Sequence, residues 1–508
     1  MNNKFYVQAI KTLALIIVVL ALCRFTKGGW FSAVIVLAGM WAAFQKQYGL
    51  AICCYVLIPL IVVLHPALLP KAGLTMSILR FGALMIGLSL VVGAARRSGK
   101  HRMPFGGIIP FLLVAFVSSS GGYAPKISYL KIANYFIFLL GLWLGTQNLQ
   151  NRPKDVFLIR TMFFAMMLFL VFGSLALIPF PGISYSTGLY YAIREGGVEY
   201  AEEVFRNIQE TGGTTLFGGV TWHSQTLAPV LALAFAWILC DMLFIEKRLR
   251  FGHLVLLGLI LPMMYMTRSR TAFVAATAGF VLVYFYGLTK VKISPRVKQH
   301  VGMGLVVMSI IVVFVAGIAQ FRNETISRWL RKGQEGADDT RSLVEAMTSS
   351  RMGLVEESIR DFKQNPLFGM GFQVAWYNES LEKSGKLVLS APIEKGVLPT
   401  MVLGETGIVG TICFVIFLVS FYVTASSRKL FTTVTLFGVL LACNMGEATF
   451  FSPGGQGGLL WILAVVGGFT IDTVLLYERN MKGQWERMMR SGEVVKPKMN
   501  DRYSFGME

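Results

Sequence analysis

Charge is the scarcest commodity in this sequence. Of 508 residues, 15% are charged and 55% are apolar. A water-soluble domain carries about a quarter charged residues, so the shortage excludes an ordinary soluble fold. Cysteine is also sparse. Cys23, Cys53, Cys54, Cys240, Cys413 and Cys443 all fall within or beside apolar stretches, none at metal-ligand spacing. That excludes a disulfide framework and favours free, buried thiols. Alternating polar and apolar runs are missing, which excludes a transmembrane β-barrel. Carboxylates are outnumbered, 27 to 47 by Lys and Arg. The excess cations sit in short loops between apolar stretches, a membrane-topology signal rather than a nucleic-acid surface.

What is abundant is the apolar segment of about 20 residues, enough to cross a bilayer as a helix. The candidates are 9–23, 29–44, 48–68, 73–94, 104–120, 127–147, 157–179, 223–244, 253–268, 271–289, 300–320, 398–425, 430–450 and 456–477. They predict an all-α polytopic membrane protein with about 14 transmembrane helices. No small-residue cleavage motif follows 9–23, so it is expected to be a retained span.

Alternate loops concentrate Lys and Arg: Lys46; Arg96, Arg97, Lys100 and Arg102; Arg152 and Lys154; Lys247, Arg248 and Arg250; Lys290 to Lys298; Arg428 and Lys429. By the positive-inside rule these loops and both termini are expected in the cytoplasm. The organisation then reads as an N-terminal transmembrane bundle (1–179) and a first long outer loop (180–222). Spans with a Ser-Arg-Thr outer turn follow (223–320), then a large outer loop (321–397), C-terminal spans (398–478) and a basic tail (479–508). In the large loop, Ser349 or Ser350 reads as an N-cap and Asn365-Pro366 as a stop. Val355, Ile359 and Phe362 recur at helical spacing between them, which predicts an amphipathic helix on the membrane surface or the bundle. Arg351 would fall in its first turn, where free N–H groups favour an anion; an ordinary surface arginine is the other reading.

Ionisable residues within spans are costly and mark candidate sites. They gather toward the outer side: Arg80, Lys131, His223, Arg268, Arg270, Glu405 and Glu447. Each has a plainer reading. Arg268, Arg270 and Lys131 are long enough to snorkel to the interface, Arg80 and Glu405 suit structural ion pairs, and His223 beside Trp222 suits an interfacial anchor. An outer face rich in arginine suits an anionic, membrane-borne substrate such as a lipid-linked sugar pyrophosphate. No other chemistry is well supported. Gly93 to His101 is one residue too long for a P-loop and lacks its Ser or Thr. Asp338-Asp339 has no acidic partners, so no metal and no cofactor is expected.

Three motifs, Ser269-Arg270-Thr271, Arg351 followed by Asn365-Pro366-Leu367-Phe368-Gly369-Met370-Gly371-Phe372, and Leu403-Gly404-Glu405-Thr406-Gly407-Ile408-Val409-Gly410, stand in this order over roughly 215–425. This arrangement resembles the O-antigen ligase and O-antigen polymerase family of bacterial membrane proteins. The resemblance implies a metal-independent glycosyltransferase at the outer face of the inner membrane. The donor would be a glycan on undecaprenyl pyrophosphate and the acceptor a glycan or lipid-linked sugar. Polysaccharide-export proteins are candidate partners. Arg270 and Arg351 would bind pyrophosphate, with Arg268 and Arg80 nearby, and Glu405 and Glu447 would line the cavity. The family ligases carry a His-Asn pair before the Glu-Thr-Gly span, where this chain has Lys395-Gly396-Val397. Glu394 or His223 would then serve as the base, or none is needed; Glu394 and Lys395 equally fit a charged interfacial pair. The missing histidine favours a polymerase over a ligase. The competing expectation is a transporter or flippase without covalent chemistry. Such proteins tend to have repeated halves and midplane sites, whereas no repeat is evident here.

Overall fold

The structure is a computed structural model. It describes residues 2–26, 29–69, 74–95, 105–149, 152–185, 216–221, 223–246, 250–289, 343–375, 378–383, 396–446 and 448–490. These are almost entirely helical. Two isolated β-bridges, Leu64 to Thr221 and Tyr185 to Phe217, are the extended pairings among the described residues. In lipid, backbone polar groups must bond within their own segment, so continuous apolar runs fold as helices.

The elements are α1 (Asn2–Phe25), α2 (Gly29–Phe44), α3 (Tyr48–Val63), α4 (Leu74–Ala95), α5 (Ile108–Ser120), α6 (Pro125–Gln147), α7 (Pro153–Ala176) and the single turn α8 (Pro181–Ser184). Next come α9 (Ser224–Cys240), which continues through a π-turn at Asp241–Glu246, then α10 (Phe251–Met266), α11 (Arg270–Thr289), α12 (Leu343–Gln364) and α13 (Asn378–Lys383). Last are α14 (Leu398–Ser427), α15 (Phe431–Asn444), α16 (Gln456–Ile462) and, after a π-turn at Leu463–Gly467, α17 (Gly468–Arg490). Thirteen of the fourteen expected stretches coincide with apolar helices; the fourteenth, 300–320, lies outside the described residues. Six of these helices are long and apolar enough to cross a membrane, and seven are shorter. The described helices therefore supply six candidate crossings and do not establish a count of about fourteen.

Both faces of a span are apolar because one meets protein and the other lipid. On α14, Phe414, Phe417, Phe421 and Ala425 are buried, while Ile412, Val415, Val419 and Val423 are exposed. Close helix approach uses small residues, as expected where lipid competes with side chains for apolar contact. A Cβ on Gly141 of α6 would stand 2.9 Å from the Gly87 backbone of α4. Near the centre, aromatic rings interlock. Phe451 stacks on Phe111 at 5.2 Å and meets Phe372 edge-on at 5.1 Å, and Trp461 Nε1 donates to the Phe450 carbonyl at 2.6 Å.

Buried charges hold the end of the bundle where the described basic loops lie. Arg152 donates to the Lys46 carbonyl and covers the Tyr48 ring, joining two of those loops. Arg160 of α7, 2% exposed, grips Asp241 through two bonds of 2.5 and 2.8 Å and reaches Glu246 at 3.0 Å. His253 of α10 contacts Asp241 at 3.0 Å and Tyr6 of α1 at 2.9 Å. Four helices are thereby tied through one guanidinium and one carboxylate. Asp472 of α17 plays a similar part, accepting from the Thr432 and Thr433 amides and the Thr433 hydroxyl, and so caps α15 from another helix.

Breaking such a pair strands a buried charge. Arg160→Met should cost about 3–5 kcal/mol, whereas Arg160→Met with Asp241→Leu should recover most of it. Melting of the detergent-purified protein distinguishes this coupling from simple additivity, in which the double variant would be worse than either single one.

Candidate functional site

A broken helix is the centre of the site. Within α14, Gly407 has φ 63° and ψ −165°, a conformation that stops a helix. A continuous helix would bond the Ile408 and Val409 amides to the Gly404 and Glu405 carbonyls. Here the loop after α12 takes both positions. Ile408 donates to the Pro366 carbonyl at 2.9 Å and Val409 to Leu367 at 3.3 Å. Met370 donates to the Gly404 carbonyl at 3.0 Å and Gly371 to Glu405 at 3.1 Å. Four loop-to-helix bonds replace the two lost, and no backbone group at the break is stranded.

The glycines of both motifs follow from this splice. A Cβ on Gly369 (φ 70°) would lie 2.4 Å from the Glu405 backbone, and one on Gly407 2.3 Å from the Leu367 carbonyl oxygen. Gly404 gives α12 its close approach, since a Cβ there would be 2.7 Å from the Ser358 carbonyl oxygen.

Serines of α5 and α6 brace the loop. Ser118 donates to the Glu405 carbonyl at 2.6 Å, the Phe372 amide donates to Ser119 at 3.3 Å, and Ser128 donates to the Phe372 carbonyl at 2.5 Å. Lys131 is buried and donates to the Gln373 carbonyl at 2.7 Å, so it secures the loop instead of snorkelling. Tyr123, between α5 and α6, donates to buried Asp361 of α12 at 2.9 Å. Burial and the Asp361 carboxylate push the Tyr123 hydroxyl up to about 12, so it remains a donor at physiological pH.

The expected site residues fall into three groups. Glu405 is fully buried at the splice. Arg268 and Arg270 are half-buried at the turn before α11. There Arg268 is left-handed (φ 52°), Ser269 accepts from the Ala272 amide, and Gly446, just after α15, packs against Thr271. His223 is the N-cap of α9; its Nδ1 accepts from the Gln225 amide at 3.1 Å, which leaves Nε2 carrying the proton. Arg80 lies in the second turn of α4 and Arg351 within α12, both described by backbone alone. Glu394, Glu447 and the Asp338-Asp339 pair lie outside the described residues.

Two expectations for α12 need correction. It begins at Leu343 and not at Ser349 or Ser350, so Arg351 sits in its third turn, away from the free N–H groups. Its packed face carries Ser358 and Asp361, whereas Val355 and Phe362 are half-buried and Ile359 is 38% exposed. The helix ends at Gln364, before Asn365-Pro366, as the stop signal implies.

Residues 255–415 match the family model described as O-antigen ligase. That third of the chain is similar to O-antigen ligases. No curated protein matches it. The matched segment runs from α10 to just beyond the break and contains all three motifs; His223, Arg80 and Glu447 lie outside it. Together with its apolar helices, this likeness marks a multi-pass membrane protein with a segment similar to O-antigen ligases. Sequence reasoning missed Tyr123, Asp361 and the serine braces. The available signal was the pairing of two glycine-rich motifs, which demands a backbone-on-backbone contact.

Two predictions follow from the splice. Gly407→Ala should cost more than about 3 kcal/mol through forbidden geometry and contact with Leu367, while Gly353→Ala, at an open helical position, should stabilise by about 0.5–1 kcal/mol. Melting of the two variants tests the contrast. For Tyr123, a folded pKa raised above its ordinary value means that the contribution is complete below about pH 10 and fades as pH rises through 12. Tyr123→Phe should therefore lower the melting temperature equally at pH 6 and pH 8.

Proposed function

We propose that the protein is a glycosyltransferase that extends a glycan carried on undecaprenyl pyrophosphate at the outer face of the inner membrane, in O-antigen or exopolysaccharide assembly. Both termini then lie in the cytoplasm and the long loops outside. The acceptor is a glycan or lipid-linked sugar, and the missing His-Asn favours polymerisation.

The observation that carries this reading is the connection between the three motifs inside the O-antigen ligase-like segment. Gly446 packs on the turn that holds Arg270, and Phe451, five residues on, packs on Phe372 of the splice. The splice in turn anchors α12, which carries Arg351. The motifs thus belong to one framework at the end of the bundle away from Arg428 and Lys429. The 21 residues from Gly407 to Arg428 span about 32 Å as helix, about one hydrocarbon thickness. A break at the far interface suits one-sided chemistry better than the midplane site of a transporter.

In the reaction, an acceptor hydroxyl attacks the anomeric carbon of the donor. The bond from that carbon to the pyrophosphate oxygen breaks, undecaprenyl pyrophosphate departs, and the hydroxyl proton passes to a base, for which Glu394 is the candidate. Arg270 and Arg351, with Arg268 and Arg80 in support, stabilise the departing charge as bidentate donors. His223 serves as a hydrogen-bond donor through Nε2 and keeps its capping role.

Arg270→Ala and Arg351→Ala should each lower polymer yield about 100-fold or more with melting unchanged, and Glu394→Gln should lower it with normal membrane insertion. Gel analysis of surface polysaccharide reads the outcome. Unchanged chain length and yield in both arginine variants would overturn the assignment.

A further inference from the structure

A cavity of about 300 Å³ opens among the ends of α6, α14, α15 and α17, with Trp143, Gln147, Phe421, Arg428, Thr433 and Phe469 in its lining. It is separate from the site above, about 32 Å along α14 from the break at Gly407. Its walls are mainly apolar side chains, and its size is at the lower end for small-molecule sites.

The polar atoms around it have a consistent sense. Trp143 Nε1 and Gln147 Nε2 are buried nitrogen donors without a hydrogen-bond partner. They stand four residues apart on α6, so they share one helical face. Leaving a buried donor unmade is costly, and two in one cavity call for an acceptor between them. Arg428 adds positive charge at the end of α14. Two of the acceptors nearby, the Trp143 carbonyl and the Asp472 carboxylate, are already engaged. The Thr146 hydroxyl donates to the Trp143 carbonyl at 2.8 Å, and Thr433 donates to Asp472, whose carboxylate is held by three donors. The remaining demand is for an acceptor-rich, anionic head attached to an apolar body.

We propose that this cavity is a binding site for an anionic phospholipid from the leaflet at the basic end of the bundle. The headgroup phosphate accepts from Trp143, Gln147 and Arg428, and an acyl chain lies along Phe421 and Phe469. Basic pockets between helices on the cytoplasmic side take anionic headgroups in this way, and Lys429 and Arg152 at the same end raise the local concentration of such lipids. The bound lipid adds a link between helix ends that the Asp472 cap and the Phe421–Phe437 contact already join. This site is independent of the glycosyltransferase reading.

The test uses the full-length protein, purified in detergent and titrated with phosphatidylglycerol, phosphatidylcholine or inorganic phosphate. Melting and native mass spectrometry are the readouts. Phosphatidylglycerol should raise the melting temperature and be retained at one molecule per chain, and phosphatidylcholine should do neither. Trp143→Phe and Gln147→Leu should each weaken phosphatidylglycerol binding by at least about fivefold, while Trp30→Phe, at an exposed position on another helix, should not. Equal effects of the two lipids, or unchanged binding in both cavity variants, would overturn the proposal. Equal stabilisation by inorganic phosphate would assign the cavity to a free anion and refute the lipid site. The wild-type lipid comparison stands even if a variant fails to fold.

Discussion

Everything at the candidate site depends on exchanging two helical hydrogen bonds for four loop-to-helix bonds at Gly407. In or near lipid, an open break would leave two amides and two carbonyls with no partner, at a cost of several kcal/mol each. The Pro366 to Gly371 loop fills the break only because Gly369, Gly404 and Gly407 let three backbones meet without side chains between them. A loop outside the bundle thereby becomes part of a membrane helix. Whatever α12 carries is positioned by that union, and the serines of α5 and α6 extend the same support to the other side of the loop.

The bundle divides its polar groups between two ends. One end is stapled by paired charges: Arg160 with Asp241 and Glu246, and Asp472 on the first turn of α15. Their partners are satisfied within the protein, which suits a structural role. The other end is assembled from backbone contacts, a capped turn at Ser269 and half-buried arginines. Fixed backbone geometry suits a site that must hold a charged leaving group, because preorganised donors need not reorganise as charge develops.

The sequence made the helices legible because continuous apolar runs permit little else in a bilayer, and α2, α10, α11 and α14 begin within about two residues of expectation. The start of α12 was not legible. Ser349-Ser350 resembles a cap, yet the helix runs through it from Leu343, and tertiary contact decides its buried face in favour of Ser358 and Asp361 over the apolar stripe. Arg160, Asp241 and Asp472 were overlooked because each lies near the end of an apolar run, where a charge passes for an interfacial residue; only the fold reveals their partners. At the site, the motifs identified the participating backbones. Their hydrogen-bond exchange could not be read from spacing, since it joins segments some forty residues apart.

The most direct test is amide hydrogen exchange of the full-length protein in lipid nanodiscs, resolved over 366–371 and 404–411. If the loop completes the broken helix, the amides of Met370, Gly371, Ile408 and Val409 are protected and open together with a common free energy. Protection of 404–411 with free exchange at Met370 and Gly371 would mean a continuous helix beside an unattached loop, and would contradict the account.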